Sequence, residues 1–347
     1  MMQAARRRGR PHTHTVRERE KKMSGSYSIV EMGRDVSSAL YTWLLSLCCS
    51  TDSCSARAMT INGRSFRVVR QLAEGGFSFV FLVESAGEKF ALKKVLTQLP
   101  EQAEQARWEV KVHSAIDHPN CMPLIDHCVV PAPNGAEEFR LLMPLYPHGT
   151  LLDRCIQLME AKERMAERTA LTIFRDILHG VAAFHEHDPP WAHRDIKPAN
   201  VLLSDGDVPV LMDFGSVQEA RRTVTSRTEA LLMQEDAAQN CSMPYRAPEL
   251  FDVASDATID ERTDVFSLGA TLYAMAYYYS PFECTFTGET QHVVECSHLR
   301  VIGGPQFPTT RFYSPAFIDL IQAMLAVDPK KRPTVHQCLA KVGQLLK

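Results

Sequence analysis

The stretch His193-Arg194-Asp195-Ile196-Lys197-Pro198-Ala199-Asn200 lies in the second half of this 347-residue chain. It places a carboxylate, Asp195, five residues before a side-chain amide, Asn200. A second tripeptide, Asp213-Phe214-Gly215, begins thirteen residues after Asn200. The apolar runs 201–203 and 208–212 between the two motifs have the length and composition of β-strands. Either motif alone is weak evidence for a function. Their order along the chain and the strand-like segment between them make the pattern informative.

This order resembles the catalytic loop of protein kinases, H-R-D-x-x-x-x-N, followed by their D-F-G tripeptide. The resemblance implies that Asp195 accepts the proton of a substrate hydroxyl, and that Asn200 and Asp213 hold Mg²⁺, or alternatively Mn²⁺, at the phosphates of ATP. Lys197, two residues after Asp195, is typical of serine/threonine kinases, where it steadies the transferring phosphate. We therefore expect a transferase that acts on Ser and Thr hydroxyls of protein substrates.

An upstream stretch at 73–80, Ala-Glu-Gly-Gly-Phe-Ser-Phe-Val, partly matches the kinase loop G-x-G-x-x-G-x-V that covers the phosphates of ATP. Its middle glycine and its valine match, whereas an alanine and a serine replace the other two glycines. Gly76, which follows the matching Gly75, adds conformational freedom, so backbone N–H groups can still approach a phosphate. The residues predicted to bind nucleotide here are Ala73, Gly75, Gly76, Ser78 and Val80.

Lys93, at the end of the strand pattern 89–93, fits the lysine that pairs with the nucleotide phosphates in the kinase resemblance. Its expected partner is a glutamate on the next helix. Glu109 is the preferred choice, and Glu104, about one and a half turns earlier, is the alternative. Met143 is expected at the back of the nucleotide pocket, and Tyr146 is expected to bond the adenine through its backbone.

Hydrophobic patterning separates a β-rich part from a helical part. Strand patterns over 66–69, 80–83 and 89–93, joined by short glycine-containing turns, predict an antiparallel meander. A helix is predicted over 101–116, and mostly helical patterns follow residue 150. The kinase resemblance covers 66–343 and implies an α+β, bilobal fold. We place the kinase domain at 61–347, with a small lobe at 66–143 and a larger helical lobe at 147–343.

Three further residues fit structural positions of the kinase pattern. Ala247-Pro248-Glu249 closes the activation segment, and Arg332 fits the arginine that pairs with Glu249. Asp264 fits the buried aspartate that braces the catalytic loop. An inactive, nucleotide-holding binding module is the alternative to an active enzyme, and the incomplete glycine loop is its only support. Lys93, Asp195, Asn200 and Asp213 are all present, which favours the active enzyme.

The chain is further similar to the Numb-associated kinase family. The similarity rests on 74–80 and on the long stretch between Asp213 and Glu249, where good helix formers at 228–240 predict an extra helix. Segments 209–213, 245–250 and 259–265 are most similar to a myristoylated and palmitoylated kinase of the Golgi. The resemblance implies a constitutively folded, autophosphorylating kinase that works in membrane trafficking. Candidate phosphorylation sites, whose phosphate is expected to pair with Arg194, are Thr223, Thr225, Ser226 and Thr228.

The first 60 residues form a basic, serine-rich leader that we predict to be largely disordered. Within it, Met32-Gly33-Arg34-Asp35-Val36-Ser37 matches the myristoylation pattern M-G-x-x-x-[ST], and cysteines follow at Cys48, Cys49 and Cys54. Translation from Met32 would yield a doubly lipidated protein anchored through 32–54, because one acyl chain alone holds a membrane weakly. An unmodified leader and an arginine-rich targeting leader are the alternatives. With the anchor, the kinase is expected in the cytoplasm, peripheral on Golgi, vesicle or plasma membranes.

Charge is unevenly distributed. Residues 1–60 carry ten Lys/Arg and five Asp/Glu, a net +5, so residues 61–347 carry −8 of the total −3. An acidic domain argues against nucleic acid as a partner, since nucleic-acid binding needs a basic surface. Outside the leader, seven scattered cysteines without C-x-x-C spacing predict buried thiols in a reducing compartment.

Overall fold

The computed structural model describes residues 58–75 and 78–347. The predicted loop residue Gly76 and the predicted lipidation sites Gly33, Cys48 and Cys49 lie outside these ranges. The described residues form a small lobe dominated by one sheet and a larger lobe dominated by helices. The predicted α+β bilobal class is confirmed.

The small lobe is built on one antiparallel sheet with strand order β1-β2-β3-β4-β6-β5. Its central meander, β2 to β4, is the one predicted from the alternating apolar positions. Phe66, Val83 and Leu92 of these strands are buried together on one face of the sheet. The strands are β1 (Ala58–Ile61), β2 (Arg64–Glu74), β3 (Ser78–Ser85), β4 (Glu88–Thr97), β5 (Asp126–Pro131) and β6 (Glu137–Pro144).

Strand β1 crosses the predicted boundary between leader and kinase domain. It pairs antiparallel with β2, and its end is tied to β5, because Asn62 Nδ2 donates to Asp126 Oδ1 at 2.8 Å. Arg140 donates to the backbone oxygen of Thr60 at 2.8 Å. Four residues of mixed polarity carry too little periodicity to predict such a strand. Side-chain bonds between distant segments hold it in place.

Helix α1 (Pro100–Ala115) lies between β4 and β5 in the chain, within one residue of its predicted bounds. Proline at its first position suits a helix start, since the missing N–H has no partner there in any case. Ala103 and Ala106 pack with Phe139 and Leu141 of β6. Small side chains on this face let α1 lie close to the sheet, which places its next turns beside the strand that carries Lys93.

The larger lobe is organised around α5 (Arg262–Tyr277), which is buried from Thr263 to Tyr277. Most of its residues are apolar, as expected for a helix of the interior, and Thr263, Asp264, Ser267 and Thr271 are its buried polar residues. Gly269 lets it approach α7 closely, since an added Cβ there would lie 2.8 Å from the Cβ of Met324. The other helices are α2 (Leu151–Ala161), α3 (Glu167–His185), α4 (Arg227–Asn240), α6 (His298–Gly303), α7 (Pro315–Met324) and α8 (Val335–Leu345).

Short two-stranded sheets complete this lobe and carry its loops. The pairs are β7 (Trp191–Ala192) with β10 (Gln218–Glu219), β8 (Val201–Leu203) with β9 (Pro209–Leu211), β11 (Arg222–Thr223) with β12 (Thr258–Ile259), and β13 (Cys284–Thr287) with β14 (Thr290–Val293). The predicted strand-like segment between the two motifs is therefore the β8–β9 hairpin. The catalytic loop enters β8 and Asp213 follows β9 at the same open end of this hairpin, where the N–H of Met212 donates to the backbone oxygen of Asn200 at 3.0 Å.

The seven cysteines of the described part are free thiols, and five of them are buried, as their scattered spacing predicts. In the same part of the chain, no helix has the length and apolar character needed to cross a bilayer.

Candidate active site

Lys93 and Glu109 meet between β4 and α1. Lys93 Nζ lies 2.6 Å from Glu109 Oε1, and the two side chains are only 15% and 7% exposed. Burial opposes the charge on Lys93, but the carboxylates of Glu109 and Asp213 hold its pKa above the ordinary value. The alternative partner, Glu104, is exposed on another face of α1. Neighbouring Lys94 lies on the opposite face of β4, where it pairs with Glu138 at 2.7 Å.

Asp213 completes this charged group. Its Oδ1 lies 3.1 Å from Lys93 Nζ, and its backbone adopts a left-handed conformation with φ of 64°. A non-glycine residue in that region is strained and is often found at functional sites. The Lys93 ammonium lowers the pKa of Asp213 to about 2, so the carboxylate is ionised at neutral pH. Asp213 is half-exposed, which leaves it accessible to a ligand.

Phe214 directly follows Asp213, and its buried ring fixes the backbone at this point. Its ring is buried against His113 of α1, with ring centroids 4.3 Å apart, and against Phe184, at 5.1 Å. The ring nitrogen Nδ1 of His113 lies 3.1 Å from the backbone oxygen of Met122. Burial lowers the pKa of His113 to about 4, so its ring is neutral and Nδ1–H donates this bond. His193 of the catalytic loop also packs edge-to-face on Phe214, at 5.8 Å, so these rings join α1, the turn at Asp213 and the catalytic loop.

Asp195 is held from several sides by the catalytic loop and by the end of the activation segment. Lys197 Nζ lies 2.7 Å from Asp195 Oδ2, and Asn200 Nδ2 donates to the same oxygen at 2.9 Å. The backbone N–H of Ser242 donates to Asp195 Oδ1 at 2.9 Å. Lys197 also donates to the hydroxyl of Ser242 at 2.6 Å. The carboxylate is therefore fixed in one orientation.

The backbone of the catalytic loop is braced from below by Asp264 on α5. This buried carboxylate accepts bonds from the N–H groups of His193, at 2.7 Å, and Arg194, at 2.8 Å. Arg332 and Glu249 form a bidentate pair at 2.6 and 2.7 Å. Both arrangements match the contacts that the kinase pattern implies for these residues.

Arg194 is paired with a carboxylate of the same chain. Its guanidinium lies 3.0 Å from Asp236 Oδ2 on α4 and 2.6 Å from Gln218 Oε1. Gln218 in turn donates to Asp236 at 2.9 Å. The sequence suggested instead that a phosphate on the activation segment would neutralise Arg194. In the described ranges, Arg194 already has an anionic partner.

The four predicted phosphorylation sites are exposed around the start of α4. Thr225 donates from Oγ1 to Glu229 at 2.9 Å, and Ser226 Oγ accepts a bond from the N–H of Glu229. The Ser226 hydroxyl therefore caps the helix, and the Thr225 hydroxyl is engaged by the Glu229 carboxylate. Thr223 lies in β11 and Thr228 in the first turn of α4. None of the four contacts Arg194 in the hydrogen bonds of the described chain.

The described residues among those predicted to bind nucleotide lie on β2, β3, β4 and β6 or shortly after β2 and β6. Ala73 pairs with Val80 across β2 and β3, and Val80 pairs with Lys93 across β3 and β4. The N–H of Gly75 donates to the backbone oxygen of Ser78 at 2.7 Å. The pocket and connector residues are Met143, buried in β6, and Tyr146, half-buried just after it.

Asn200 and Asp213 supply oxygen atoms that suit a divalent metal ion. Asn200 donates both of its hydrogen bonds through Nδ2, to the backbone and side chain of Asp195, so its oxygen is available as a ligand. Mg²⁺ is held in such sites by one or two protein groups together with phosphates of the substrate. In the ranges that the structure describes, no cluster of three or more His, Cys, Asp or Glu side chains forms a self-sufficient metal site.

Sequence reasoning missed Ser242, Gln218 and Asp236. Ser242 lies seven residues before Glu249, so its short spacing from that motif was the one available signal. Gln218 and Asp236 gave no signal, because their contacts with Arg194 join residues 24 and 42 positions apart.

Comparison with known proteins agrees with this geometry. The family described as "Protein kinase domain" matches residues 66–342. The chain therefore belongs to the protein kinase family, whose members use ATP and a divalent metal ion.

Similar proteins define the enzyme class more closely. A probable serine/threonine-protein kinase of Dictyostelium discoideum is 34% identical over 371 residues, which cover 87% of this chain and 98% of that protein. Serine/threonine-protein kinase 16 of Homo sapiens is 37% identical over 296 residues, covering 84% of this chain and 94% of that kinase. Serine/threonine-protein kinase ENV7 of Saccharomyces cerevisiae is 26% identical, covering 84% and 95%. The predicted activity is confirmed: the chain is a serine/threonine protein kinase.

Proposed function

We propose that Asp195, Lys197, Lys93 and Glu109 carry the transfer of the γ-phosphoryl group of ATP to a Ser or Thr hydroxyl of a protein. The observation that supports this most is the fixed carboxylate of Asp195, held by Lys197, Asn200 and the backbone of Ser242. Asp195 orients the acceptor hydroxyl and takes its proton. The oxygen of the hydroxyl bonds to the γ-phosphorus as the bond from that phosphorus to the bridging oxygen breaks and ADP leaves. Lys93, held by Glu109, binds phosphate oxygens.

Asn200 and Asp213 fit a divalent ion, which we propose to be Mg²⁺, with Mn²⁺ as the alternative. When bound, the ion neutralises charge on the phosphates during transfer. The chain itself contributes the ionised state of Asp213, which the Lys93 ammonium maintains. Activity should therefore need added Mg²⁺ or Mn²⁺ and should be lost with EDTA. Activity that persists in EDTA would contradict this assignment.

The acceptor class can be tested with three peptides that differ only in a single Ser, Thr or Tyr. Lys197, which is typical of serine/threonine kinases, bridges Asp195 and Ser242 at 2.7 and 2.6 Å. We expect phosphate transfer to the Ser and Thr peptides, with transfer to Tyr at most a side activity. A Tyr peptide phosphorylated faster than both others would contradict the proposal.

We also propose that the kinase phosphorylates itself, and that it belongs to the Numb-associated kinase family. The support for the family is α4, a 14-residue helix between Asp213 and Glu249. The support for autophosphorylation is the exposure of Thr223 and Thr228, whose hydroxyls are not used in capping α4. Phosphopeptide mapping after incubation with ATP tests this, with an Asp195→Asn variant as the control for contaminating kinases. Unmodified peptides from the active protein would contradict it.

A role in membrane trafficking at Golgi-type membranes is our proposal for the cellular function, with double lipidation after translation from Met32. Its support is the match of Met32-Gly33 to the myristoylation pattern and the cysteines that follow. Mass spectrometry of the N-terminus of protein from native cells tests it. A myristoylated Gly33 is expected, and an N-terminus at Met1 or Met2 would overturn it. The catalytic assignment stands in either case.

A further inference from the structure

Trp108 of α1 contacts the larger lobe, although it directly precedes Glu109, and the phosphotransfer steps make no use of it. Its indole Nε1–H donates to the backbone oxygen of Val217, in the activation segment, at 2.6 Å. Its ring packs edge-to-face on Trp191, with ring centroids 5.5 Å apart. Trp191 is buried and lies two residues before the catalytic loop. Trp108 therefore connects the helix that carries Glu109 to two segments of the active site.

A second side chain of α1 contacts the activation segment. Gln105, one turn before Trp108, donates from Nε2 to the backbone oxygen of Gly215 at 3.3 Å. Residues three apart are neighbours on a helix surface, so the two side chains form one contact face. Glu109 follows about 100° further round the helix, where its carboxylate lies 2.6 Å from Lys93 Nζ. A movement of α1 that breaks these two bonds therefore also moves Glu109.

The activation segment is itself fixed on both sides of the oxygen that Trp108 binds. Ser216 Oγ donates to the backbone oxygen of Asn240, the last residue of α4, at 2.8 Å. Gln218 Oε1 accepts a bond from Arg194 of the catalytic loop at 2.6 Å. The bond of the indole therefore ties α1 to a part of the larger lobe that is anchored to both α4 and the catalytic loop.

The Lys93–Glu109 pair depends on the position of α1, because its two charges lie away from water. Glu109 is 7% exposed, and a buried carboxylate that loses its partner is costly. On the side of the sheet, α1 packs through Ala103 and Ala106. Apolar contacts are non-directional, so they constrain the rotation of a helix less than a hydrogen bond does. The bond of Trp108 supplies such a directional contact one residue from Glu109.

We propose that Trp108 is a positioning residue for phosphoryl transfer, whose indole N–H holds α1 where Glu109 reaches Lys93. The inference rests on the proposed function and adds a residue to that same site. Trp108 acts through Glu109, and Gln105 assists it from the preceding turn. If the indole only packed against Trp191, loss of its N–H would leave the Lys93–Glu109 pair unchanged.

The state of Lys93 reports directly on the pair. Burial alone would lower the pKa of Lys93, and the carboxylates of Glu109 and Asp213 oppose this effect. Acetic anhydride modifies only the uncharged amine, so Lys93 should react faster whenever Glu109 moves away. Trp108→Phe removes the N–H and keeps an aromatic ring. It should raise the acetylation rate of Lys93 relative to Lys94, measured by mass spectrometry, by about 3- to 10-fold, as for loss of one hydrogen bond.

Two controls separate this effect from a general loss of stability. Lys94, on the opposite face of β4, should keep its rate in the variant, whereas unfolding would raise both rates. Glu104→Gln, at an exposed acid of α1, should keep the wild-type ratio of Lys93 to Lys94. If Trp108→Phe does not fold, Gln105→Leu removes the second bond from an exposed position and gives the same comparison.

Kinetics show whether Trp108 acts through Glu109. Trp108→Phe should lower kcat/KM for ATP by about 2-fold or more, as the displaced position of α1 becomes populated. In a Glu109→Gln background the same substitution should have no further effect, because no ion pair is left to hold in place. A role in packing alone would lower kcat/KM by the same factor in both backgrounds.

An unchanged acetylation ratio in Trp108→Phe, or in Gln105→Leu where Trp108→Phe does not fold, would overturn the inference and leave the kinase function intact. Equal losses of kcat/KM in the wild-type and Glu109→Gln backgrounds would overturn it as well. Failure of the wild-type protein to phosphorylate any Ser or Thr acceptor would refute the proposed function, and with it the catalytic role of this contact, even where the acetylation ratio changes.

Discussion

At the scale of single residues, the site depends on a few charged groups that fix one another. Lys197 is the charged donor that contacts Asp195, at 2.7 Å, and it bridges this carboxylate to Ser242. Lys94, by contrast, points to the other face of β4 and pairs with Glu138. The two lysines therefore offer a matched comparison between a lysine inside the site and one outside it.

Lys197→Met should lower kcat about 10²-fold, because removal of one donor aimed at developing charge typically costs this much. The KM for ATP should change little, since Lys93 and the metal ligands remain. Steady-state kinetics with a Ser peptide measures both quantities. Lys94→Met is the control and should retain the wild-type kcat. A Lys197→Met variant with wild-type kcat would show that this lysine has no role in catalysis.

His113 predicts a pH dependence of stability. Its pKa is about 4 in the folded protein against an ordinary 6.5, so the unfolded chain binds more protons and stability falls as pH drops through this window. Between pH 7 and pH 5 this one group should remove about 2 kcal/mol of unfolding free energy. Urea denaturation of wild type and His113→Leu measures it. The variant should lose less stability on acidification, and equal losses would contradict the assignment.

Residue identities were predictable from sequence where a motif spans few positions. Asp195, Lys197 and Asn200 fall within six residues, and Glu109 lies on the first helix after the strand of Lys93. The contacts of Ser242 were not predictable, because they depend on the return of the chain to the catalytic loop 47 residues later. A local pattern contains no information about such an approach.

At the scale of elements, α4 joins the activation segment to the catalytic loop. It begins at Ser226, whose hydroxyl caps it by accepting the N–H of Glu229, and it presents Asp236 to Arg194. The Arg194 side chain is only 5% exposed, so without this carboxylate a buried charge would lack its counter-ion. The helix itself therefore supplies the anion that a phosphate would otherwise bring.

Asp236→Asn should lower kcat by about 10-fold, equivalent to about 1.4 kcal/mol of transition-state stabilisation. Asp236→Glu, which restores the charge on the same helix, should recover part of the loss. Wild-type enzyme treated with phosphatase should keep its kcat, since Arg194 is neutralised without phosphate. Assays of the three proteins before and after phosphatase test this. Loss of wild-type activity on dephosphorylation would be the opposite of what the Arg194–Asp236 pair implies.

Elements with strong periodicity were predictable, and those held by distant contacts were not. The meander β2 to β4 and helices α1 and α4 follow from alternation and from helix-forming composition. Strand β1 has four residues, and its place depends on bonds from Asn62 and Arg140 to partners far along the chain. The two-residue strands β7 and β10 carry no periodicity at all.

At the scale of the whole molecule, the larger lobe is tied together by a buried ion pair. Arg332 is fully buried, and Glu249 is 15% exposed, although 83 residues separate them. The pair Arg221–Glu261 has similar bidentate geometry, at 2.9 and 3.1 Å, but Arg221 is 65% exposed. The two pairs therefore differ mainly in burial.

Arg332→Met should lower the free energy of unfolding by about 3–5 kcal/mol, because it leaves Glu249 buried without its partner. Arg221→Met should cost less than about 1 kcal/mol, as exposed ion pairs usually do. Thermal and urea unfolding of both variants provides the comparison. Equal losses would mean that burial does not set the strength of these pairs.

The most direct test of the catalytic account is the single-turnover rate of phosphoryl transfer from ATP to a Ser peptide by wild type and by Asp195→Asn. The amide keeps the size of the side chain but cannot accept a proton as the carboxylate does. We expect the rate to fall by about 10³-fold or more, with the affinity for ATP and the melting temperature unchanged. An Asp195→Asn protein that transfers phosphate at the wild-type rate would contradict the assignment of Asp195 as the catalytic base.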